Sequence, residues 1–343
     1  MNISTTRVNS SELNEDNYVS TENMLQDYQG IVDAKSVPED VNVISFSCGD
    51  ILISNIRPYL KKVWKATYNG GCSSDVFVLK ANDNIESDYL HYVIANDKFI
   101  NFVMSGAKGV KMPRGDKKQM KTYCLSLPQI QEQKKIATLL RLIDERISTQ
   151  SKIIDKLQSL IKGISSRIFA SIQGIEYRMG DIVTITNGNS NVQDAVTQSK
   201  DGLYPFFDRS EDIKYLPTFL FDKEAIIYPG EGTEFMPRYF KGKFALHQRC
   251  YAIFDFNEII NARFLYFYLK TRNSYFVKNA VGSTVPSLRL DTFQKLKVII
   301  PSKKIQHSVS LCLSSMEQKF NVENEILQML LKQKQYLLRQ MFI

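Results

Sequence analysis

Apolar residues in the second quarter of the chain recur in alternating steps of four and three. The stripe comprises Ile136, Leu140, Ile143, Ile147, Ile154, Leu157, Ile161, Ile164 and Ile168, with Gln150 as its polar member. This spacing is the a/d seam of a coiled coil, and it predicts a helix from about Ile130 to Ile168. A period of 3.5 residues, held over about five heptads, is straighter than the drifting stripe of an ordinary surface helix.

The C-terminal segment carries a second seam with the same spacing. Its apolar members are Val309, Leu313, Met316, Phe320, Leu327, Leu330, Leu337 and Met341. Two polar residues interrupt it: Lys334, and Glu323 at the position equivalent to Gln150. Because Val322 and Ile326 flank Glu323, the seam is free to shift there and to leave the carboxylate at its edge. Two matched seams most simply pack on each other; the alternative is that each helix packs on its own globular segment.

The two helices belong to an internal repeat. An offset of 173 residues aligns the ends of the two halves without gaps and pairs Gly109 with Gly282, Pro113 with Pro286, Pro128 with Pro301, Gln133 with Gln306 and Phe169 with Phe342. Each half therefore has a globular segment followed by a long helix. We predict that the helices pack antiparallel, because the second globular segment can then leave and rejoin the helix pair at one end, as compact domains usually do.

The globular segments contain short runs typical of β-strands, separated by turn residues. The runs are 41–46, 51–53, 76–79, 225–228 and 250–254, and one helical stretch stands in each segment, at 87–94 and 262–270. The predicted fold class is α+β: two mixed α/β domains joined by two long helices that form an antiparallel coiled coil, with an internal pseudo-two-fold repeat. The predicted boundaries are 1–128 for the first domain, 129–170 for the central helix, 171–302 for the second domain and 303–343 for the C-terminal helix.

Composition places the chain among ordinary globular proteins. Its 343 residues are 43% hydrophobic, and its 20 Phe and 17 Tyr supply a core that excludes disorder as the dominant state. Five cysteines at irregular spacing and three histidines argue against a zinc site and against a disulfide framework, which favours a reducing compartment. No run of 18 apolar residues occurs, and the first residues lack the apolar core of a signal peptide, so we expect a cytoplasmic protein without a membrane span.

The sequence offers no catalytic motif. It has no Gly-x-x-x-x-Gly-Lys-[Ser/Thr] phosphate loop, no Gly-x-Gly-x-x-Gly loop, no Gly-x-Ser-x-Gly elbow and no Asn-Pro-Pro-aromatic methyltransferase loop. No segment argues for carboxylates that converge on one metal ion. We therefore expect no catalytic residues and no metal site.

The net charge of +8 is a modest basic excess, compatible with a polyanionic partner. Basic side chains concentrate in loops that also carry glycine, hydroxyl or aromatic residues. Since Lys and Arg neutralise phosphates, whereas Arg, Gln and Ser read base edges, these loops are candidates for DNA contact. The candidates are Arg57, Lys61, Lys62, Lys65, Lys108, Lys111 and Arg114 in the first half, and Arg209, Arg238, Lys241, Lys243, Gln248, Arg249, Ser283, Thr284 and Arg289 in the second. The alternative is a solvated charged face.

Several segments resemble one protein family. Residues 127–137, Leu-Pro-Gln-Ile-Gln-Glu-Gln-Lys-Lys-Ile-Ala, closely resemble the "LP-x-x-x-EQ-x-x-I" helix start of Type I restriction-modification DNA specificity subunits. Further similar segments are 143–147 and 166–169 in the helix, 177–183 at the opening of a target recognition domain, and 204–210, 245–249 and 282–288 within one. The resemblance covers nearly the whole chain.

This resemblance implies a non-catalytic DNA reader. In that family, two target recognition domains each read half of a split double-stranded DNA target, and the two helices act as a spacer. Methyltransferase subunits, two of them expected, bind the specificity subunit and methylate adenine, while restriction subunits, up to two, add cleavage. S-adenosylmethionine, ATP and Mg²⁺ then belong to the partner subunits, and this chain holds no cofactor.

Two departures from the family pattern stand out. The first half lacks a counterpart of Gly180-Asp181, and its residues 18–23 resemble a point past that opening, as a truncated or divergent N-terminus would. The second helix start, 302–308, lacks the Glu of the motif. A function of another class also fits the sequence, namely a coiled-coil assembly scaffold whose globular domains bind protein rather than DNA.

Overall fold

The structure, a computed structural model, describes residues 1–342; Ile343, the last residue of the predicted C-terminal helix, lies outside the described residues. The chain divides into two compact units. Unit 1 comprises residues 1–151 and the chain from 326 onward, and unit 2 comprises residues 152–325. Each unit therefore combines one globular segment with part of each long helix.

The globular part of unit 1 is built from short strands followed by short helices. The strands are β1 (Asn2–Ile3), β2 (Arg7–Asn9), β3 (Tyr18–Val19), β4 (Asn42–Phe46), β5 (Ile51–Ser54), β6 (Val63–Lys65), β7 (Gly70–Cys72) and β8 (Val76–Lys80). The helices are α1 (Ser87–Ile94), α2 (Asp97–Ser105) and α3 (Lys117–Lys121). Among the described residues, the strands form one sheet of order β1-β8-β5-β6 and another of order β2-β4-β7-β3.

The first of these sheets is buried on both faces. Ile51 and Ile53 lie in an apolar cluster with Tyr89 of α1. Leu52, between them, lies in a second cluster with Phe46 of the other sheet. Because successive side chains of a strand point to opposite faces, a strand covered on both sides needs a continuous apolar run, which the sequence supplies at 51–53.

The globular part of unit 2 repeats this plan with a larger sheet. The strands are β9 (Ile175–Arg178), β10 (Thr184–Asn187), β11 (Tyr204–Phe207), β12 (Lys214–Leu216), β13 (Phe221–Pro229), β14 (Arg238–Leu246), β15 (Cys250–Phe254) and β16 (Lys297–Ile300). The helices are α5 (Ala262–Lys270), α6 (Asn273–Asn279) and α7 (Leu290–Gln294). One sheet has the order β10-β15-β13-β14-β11-β12, while β9 and β16 pair with each other. In β13, Ile226 packs toward α5 and Ile227 packs with Phe244 on the opposite face.

The two long helices are α4 (Ile130–Ser171) and α8 (Lys303–Met341). The predicted start of α4 is confirmed, and its end lies three residues beyond the predicted one. In unit 1, Leu337 and Met341 near the end of α8 share an apolar cluster with Leu140 near the start of α4. In unit 2, Val309 near the start of α8 shares a cluster with Ile168 near the end of α4. The helices therefore run antiparallel in each unit, as predicted.

The local shift of the seam that the sequence allows at Glu323 does not occur. Glu323 is only 7% exposed, whereas Val322 and Ile326 beside it are 41% and 38% exposed. The seam does not shift toward these apolar neighbours, because the heptad spacing on both sides of Glu323 fixes the helix face that is buried. Lys319 forms an ion pair with Glu323 one turn away along the same helix.

A buried glutamine anchors the start of each long helix to its globular domain. Gln133 is 1% exposed; its Oε1 accepts a hydrogen bond of 2.8 Å from the Glu86 amide, and its Nε2 donates to the carbonyls of Asn84 and Pro128 at 3.1 and 2.9 Å. These bonds tie the helix to the loop that precedes α1.

Gln306 makes the same bonds in unit 2. Its Oε1 accepts from the Asn261 amide at 2.7 Å, and its Nε2 donates to the carbonyls of Ile259 and Pro301 at 2.8 and 2.9 Å. Gln133 and Gln306 are one of the pairs that the sequence repeat aligns. The repeat in sequence is therefore a repeat of specific hydrogen bonds.

An aromatic residue at the end of each helix completes the anchor. In unit 1, the ring of Phe342 lies 5.2 Å from that of Tyr89 on α1. In unit 2, the ring of Phe169 lies 5.6 Å from that of Phe264 on α5. Each globular domain is thus held by the beginning of one long helix and the end of the other.

Candidate nucleic-acid interface

A short hairpin in unit 1, residues 108–114, carries several of the candidate cations. Lys108 and Arg114 exchange backbone hydrogen bonds of 2.9 Å in both directions. Gly109 between them has φ +94°, and a Cβ at this position would lie 3.2 Å from the carbonyl oxygen of Met112, so the turn requires glycine. The hairpin is joined to the turn after β5 by the Arg57 amide, which donates to the Pro113 carbonyl at 2.8 Å.

Unit 2 has the same hairpin at residues 281–287. Val281 and Ser287 exchange backbone bonds of 2.9 and 2.8 Å, and Gly282 has φ +106°. The Gly232 amide, in the turn after β13, donates to the Pro286 carbonyl at 3.0 Å. Each unit therefore holds a glycine-dependent hairpin against the turn that follows a central strand.

In unit 1, four of the candidate cations meet at this hairpin. Arg57, Lys108, Lys111 and Arg114 are exposed there. Lys108 Nζ lies 3.1 Å from a carboxylate oxygen of Asp116, and Arg114 lies 3.6 Å from Asp75. Among the described residues, Arg57 and Lys111 have no carboxylate within ion-pair distance, so the hairpin keeps an excess of positive charge.

The other three unit 1 candidates lie elsewhere and serve the fold. Lys61 Nζ lies 2.9 Å from Asp97 Oδ1, and Lys62 Nζ donates to the Thr21 carbonyl at 2.6 Å. Lys65 forms an ion pair with Asp88 on α1. Because Lys61 and Lys65 are half-buried and paired with carboxylates, they contribute less to a phosphate-binding surface than the exposed Arg57 and Lys111 of the hairpin region.

In unit 2, three candidates line one cleft of about 580 Å³. They are Arg209, Gln248 and Arg249, and they share the cleft with Asp208, Lys214, Glu231 and His247. Burial alone would raise the pKa of Asp208, but hydrogen bonds from Lys214 and Ser210 lower it below the ordinary value. Partial burial lowers the pKa of His247, against the opposing charge of Asp208. The cleft thus combines cations, two carboxylates and an imidazole.

The remaining unit 2 candidates are spread over the domain. Ser283 and Thr284 are exposed on the hairpin, and Arg289 is exposed just beyond it. Lys241 and Lys243 are exposed on β14, in register with Glu224 and Asp222 of β13. The partly buried Arg238 donates to the Ser210 carbonyl and supports the wall of the cleft.

Sequence reasoning passed over Glu231, Asp208 and Lys214. An acidic residue does not by itself suggest DNA contact. Glu231 lies in the turn after β13 and Arg249 in the turn between β14 and β15, and only the fold brings their side chains to 2.7 Å. A local signal existed for Asp208, because it directly precedes Arg209 in a segment that resembles the family.

Within residues 1–342, no group of three or more His, Cys, Asp or Glu is placed to share a metal ion. None of the helices in that part of the chain is both long and apolar enough to cross a bilayer.

A family model described as the Type I restriction modification DNA specificity domain matches residues 3–159 and again residues 175–332. The chain belongs to that family. The two matches cover the two halves of the repeat, and each includes one hairpin and one anchoring glutamine.

Two curated members of the family are similar in sequence. The Type I restriction enzyme EcoDI specificity subunit of Escherichia coli is 30% identical over 128 residues, which are 37% of this chain and 28% of that protein. The Type I restriction enzyme MjaVIII specificity subunit of Methanocaldococcus jannaschii is 34% identical over 101 residues, 29% of this chain and 23% of that protein. The matched region therefore spans less than a third of either relative.

Solved structures share the fold over the full length. The S subunit of a Type-I restriction-modification system from M. genitalium is 17% identical, with a TM-score of 0.65, and the match covers 100% of this chain and 97% of that one. A chain from a structural study of complex assembly and conformational transition in the type I R-M system is 15% identical, with a TM-score of 0.57 and coverage of 98% and 96%. The specificity domain fold thus extends over both units.

Proposed function

We propose that the chain is the DNA specificity subunit of a Type I restriction-modification complex and that each globular domain reads one half of a bipartite double-stranded target. The observation that carries the proposal is the hairpin that recurs in both units with the same backbone bonds to the same turn. Residues 1–128 and 171–302 are the two target recognition domains in this proposal. Residues 129–170 and 303–343 are the spacer helices.

The proposed DNA contacts differ between the two domains. In the first, Arg57, Lys108, Lys111 and Arg114 supply a compact basic surface suited to phosphates. In the second, Arg209, Gln248 and Arg249 in the cleft, with Ser283, Thr284 and Arg289 near the hairpin, supply the side-chain types that read base edges. Four candidates are more weakly supported, because each is half-buried and held by a carboxylate or a backbone carbonyl of its own domain: Lys61, Lys62, Lys65 and Arg238. Lys241 and Lys243 are exposed on β14 but lie outside both the hairpin and the lining of the cleft.

Catalysis belongs to partner subunits in this proposal. Two methyltransferase subunits would bind the chain and methylate adenine with S-adenosylmethionine, and two restriction subunits would use ATP and Mg²⁺ to cleave. The chain itself would hold no cofactor and act in the cytoplasm. Given S-adenosylmethionine, ATP, Mg²⁺ and target DNA, the purified chain alone is expected to leave the DNA unchanged.

The decisive experiment is to co-express the chain with its methyltransferase partner and to map modified adenines across the host genome. A bipartite motif with an unread gap is expected. The alternative is a scaffold whose domains bind protein. The salt dependence of DNA binding distinguishes the two functions. DNA affinity that falls steeply with salt reflects phosphate neutralisation, whereas a scaffold would show no motif and no such binding.

A further inference from the structure

Arg249 forms an ion pair with a carboxylate from another loop. Its Nη1 lies 2.7 Å from Glu231 Oε1, and its side chain is 63% exposed while that of Glu231 is 18% exposed. We propose that Arg249 reads a guanine in the half-site of unit 2 and that Glu231 is the positioning residue that sets its orientation. This inference rests on the proposed function and assigns a base to one side chain within it.

The backbone around Arg249 is fixed before any DNA arrives. The turn between β14 and β15 is closed by the Cys250 amide, which donates to the His247 carbonyl at 2.9 Å. Two further bonds tie this turn to neighbouring segments, from the His247 amide to the Phe207 carbonyl at 2.9 Å and from the Gln248 amide to the Ser190 carbonyl at 3.2 Å. An exposed arginine on a rigid turn loses less conformational freedom on binding than one on a mobile loop.

Gly230 brings the Glu231 loop directly against this turn. A Cβ on Gly230 would lie 2.0 Å from the Arg249 carbonyl oxygen, so only glycine allows the two backbones to approach this closely. The backbone of Glu231 also forms an antiparallel β-bridge with that of Ser287, at the base of the unit 2 hairpin. The carboxylate that holds Arg249 is therefore itself placed by the hairpin.

The pairing favours a base edge over a phosphate. Guanine presents two acceptors, N7 and O6, in the major groove, and the fork of an arginine matches them bidentately. The contact with Glu231 uses a single terminal nitrogen of a group that has five N–H donors. A phosphate brought to Arg249 would meet the full negative charge of Glu231 at close range, whereas a guanine edge carries only partial charges and is repelled less.

The test compares three variants in the complex with the methyltransferase partner: Arg249→Ala, Arg249→Lys and Glu231→Gln. Binding is measured against a library of targets in which each position of the motif is varied, at several salt concentrations. We expect Arg249→Ala to relax one G·C position of one half-site, with roughly a 5- to 150-fold loss of discrimination there. Arg249→Lys should fail to restore it, because an ammonium lacks the planar fork. Glu231→Gln should relax the same position by a smaller factor and leave the other positions unchanged.

Glu176→Gln is the matched control, because it breaks another surface ion pair of unit 2 in which Lys297 and Glu176 are also 2.7 Å apart. It should leave the base preference intact. Uniform weakening over all sequences with a salt slope reduced by about one would identify Arg249 as a phosphate contact and overturn the inference. A Glu231→Gln protein with lower stability and unchanged preference would likewise overturn it, since the pair would then be structural. Absence of DNA binding by the unmodified complex would instead overturn the proposed function itself.

Discussion

Lys334 Nζ lies 2.6 Å from Asp144 Oδ1, so the cation that interrupts the second seam is paired with a carboxylate on the other long helix within unit 1. Tyr92 of α1 donates its hydroxyl to the second oxygen of Asp144 at 2.9 Å. Unit 2 repeats the tyrosine contact, because Glu317 accepts from Tyr266 of α5 at 2.6 Å, but the cations on Glu317 come from α5 and not from the other long helix. Asp144 and Glu317 are related by the offset of the repeat. A tyrosine–carboxylate contact therefore fixes the globular domain against its helix in both units.

The buried glutamines give the most direct test of how the helices are anchored. Gln133→Ala would leave the Glu86 amide and the carbonyls of Asn84 and Pro128 without their side-chain partner. A buried group left unsatisfied costs about 1–3 kcal/mol, and because Asn84 is exposed while Glu86 and Pro128 are half-buried, we expect the free energy of unfolding to fall by roughly 1–3 kcal/mol in total. Denaturant unfolding followed by circular dichroism measures the loss. Gln131→Ala is the control, since Gln131 is exposed on the same helix, and an equal loss there would contradict the anchor.

The antiparallel pairing predicts which positions of the two long helices can be crosslinked. Ile136 and Met341 pack on the same apolar cluster of unit 1, so the double variant Ile136→Cys, Met341→Cys should form a disulfide or react with a short crosslinker. The exposed Cys48, Cys124 and Cys312 are first replaced by serine, while the buried Cys72 and Cys250 remain. The product is read as a mobility shift under non-reducing conditions. Crosslinking of residues 136 and 309 instead would favour a parallel pair and contradict the structure.

The sequence was enough to predict both long helices, because a 3.5-residue period over many turns leaves few alternatives. It was also enough to align Gln133 with Gln306. The hydrogen bonds of these residues were not predictable, because their partners at 84–86 and 259–261 are remote in sequence. The hairpins were identified as basic or hydroxyl-rich loops, but which cations meet there depends on tertiary pairing. Lys65 and Lys111 are alike in sequence, and only the fold shows that the first is paired with Asp88.

His91 should make the stability of unit 1 depend on pH. Burial, together with the charges of Lys334 and Lys65, lowers the pKa of His91 to about 4, against the opposing charges of Asp144 and Asp88. Between about pH 4 and the ordinary histidine pKa of 6.5, the His91 imidazole is protonated in the unfolded chain and neutral in the folded chain. The free energy of unfolding therefore decreases as the pH falls through this window, by up to roughly 3 kcal/mol from this group.

His91→Asn should flatten that part of the stability profile, measured by denaturant unfolding at a series of pH values from 4 to 7. His307→Asn, which removes an exposed imidazole, is the control. If both variants retained the slope of the unmodified protein, the pH dependence would come from other groups and this account of His91 would be wrong.

Lys111 on the unit 1 hairpin should act as a phosphate contact. Lys111→Ala is expected to weaken binding of the methyltransferase complex to all DNA sequences alike and to reduce the dependence of log affinity on log salt by about one. Lys65→Ala is the matched comparison, because Lys65 already pairs with Asp88 and its removal should change the slope little. A change of base preference on loss of Lys111 would instead make it a base-reading residue.

Exchange of one domain should change one half of the DNA target. Residues 177–301 contain the unit 2 hairpin, the turn that carries Arg249 and the cleft beside it. Gln306 lies outside this segment, and its side chain bonds only to the backbone of the segment, at 259, 261 and 301. A related recognition domain with the same local geometry can therefore accept this anchor.

Such a chimera, co-expressed with the methyltransferase partner, should methylate a motif with one new half-site. The half read by unit 1 should stay unchanged, as should the distance between the two halves, about one helical turn of DNA. The reciprocal exchange in unit 1 should alter only the other half. If either exchange altered both halves of the motif, the two domains would not read DNA independently, and the two-module account of recognition would have to be abandoned.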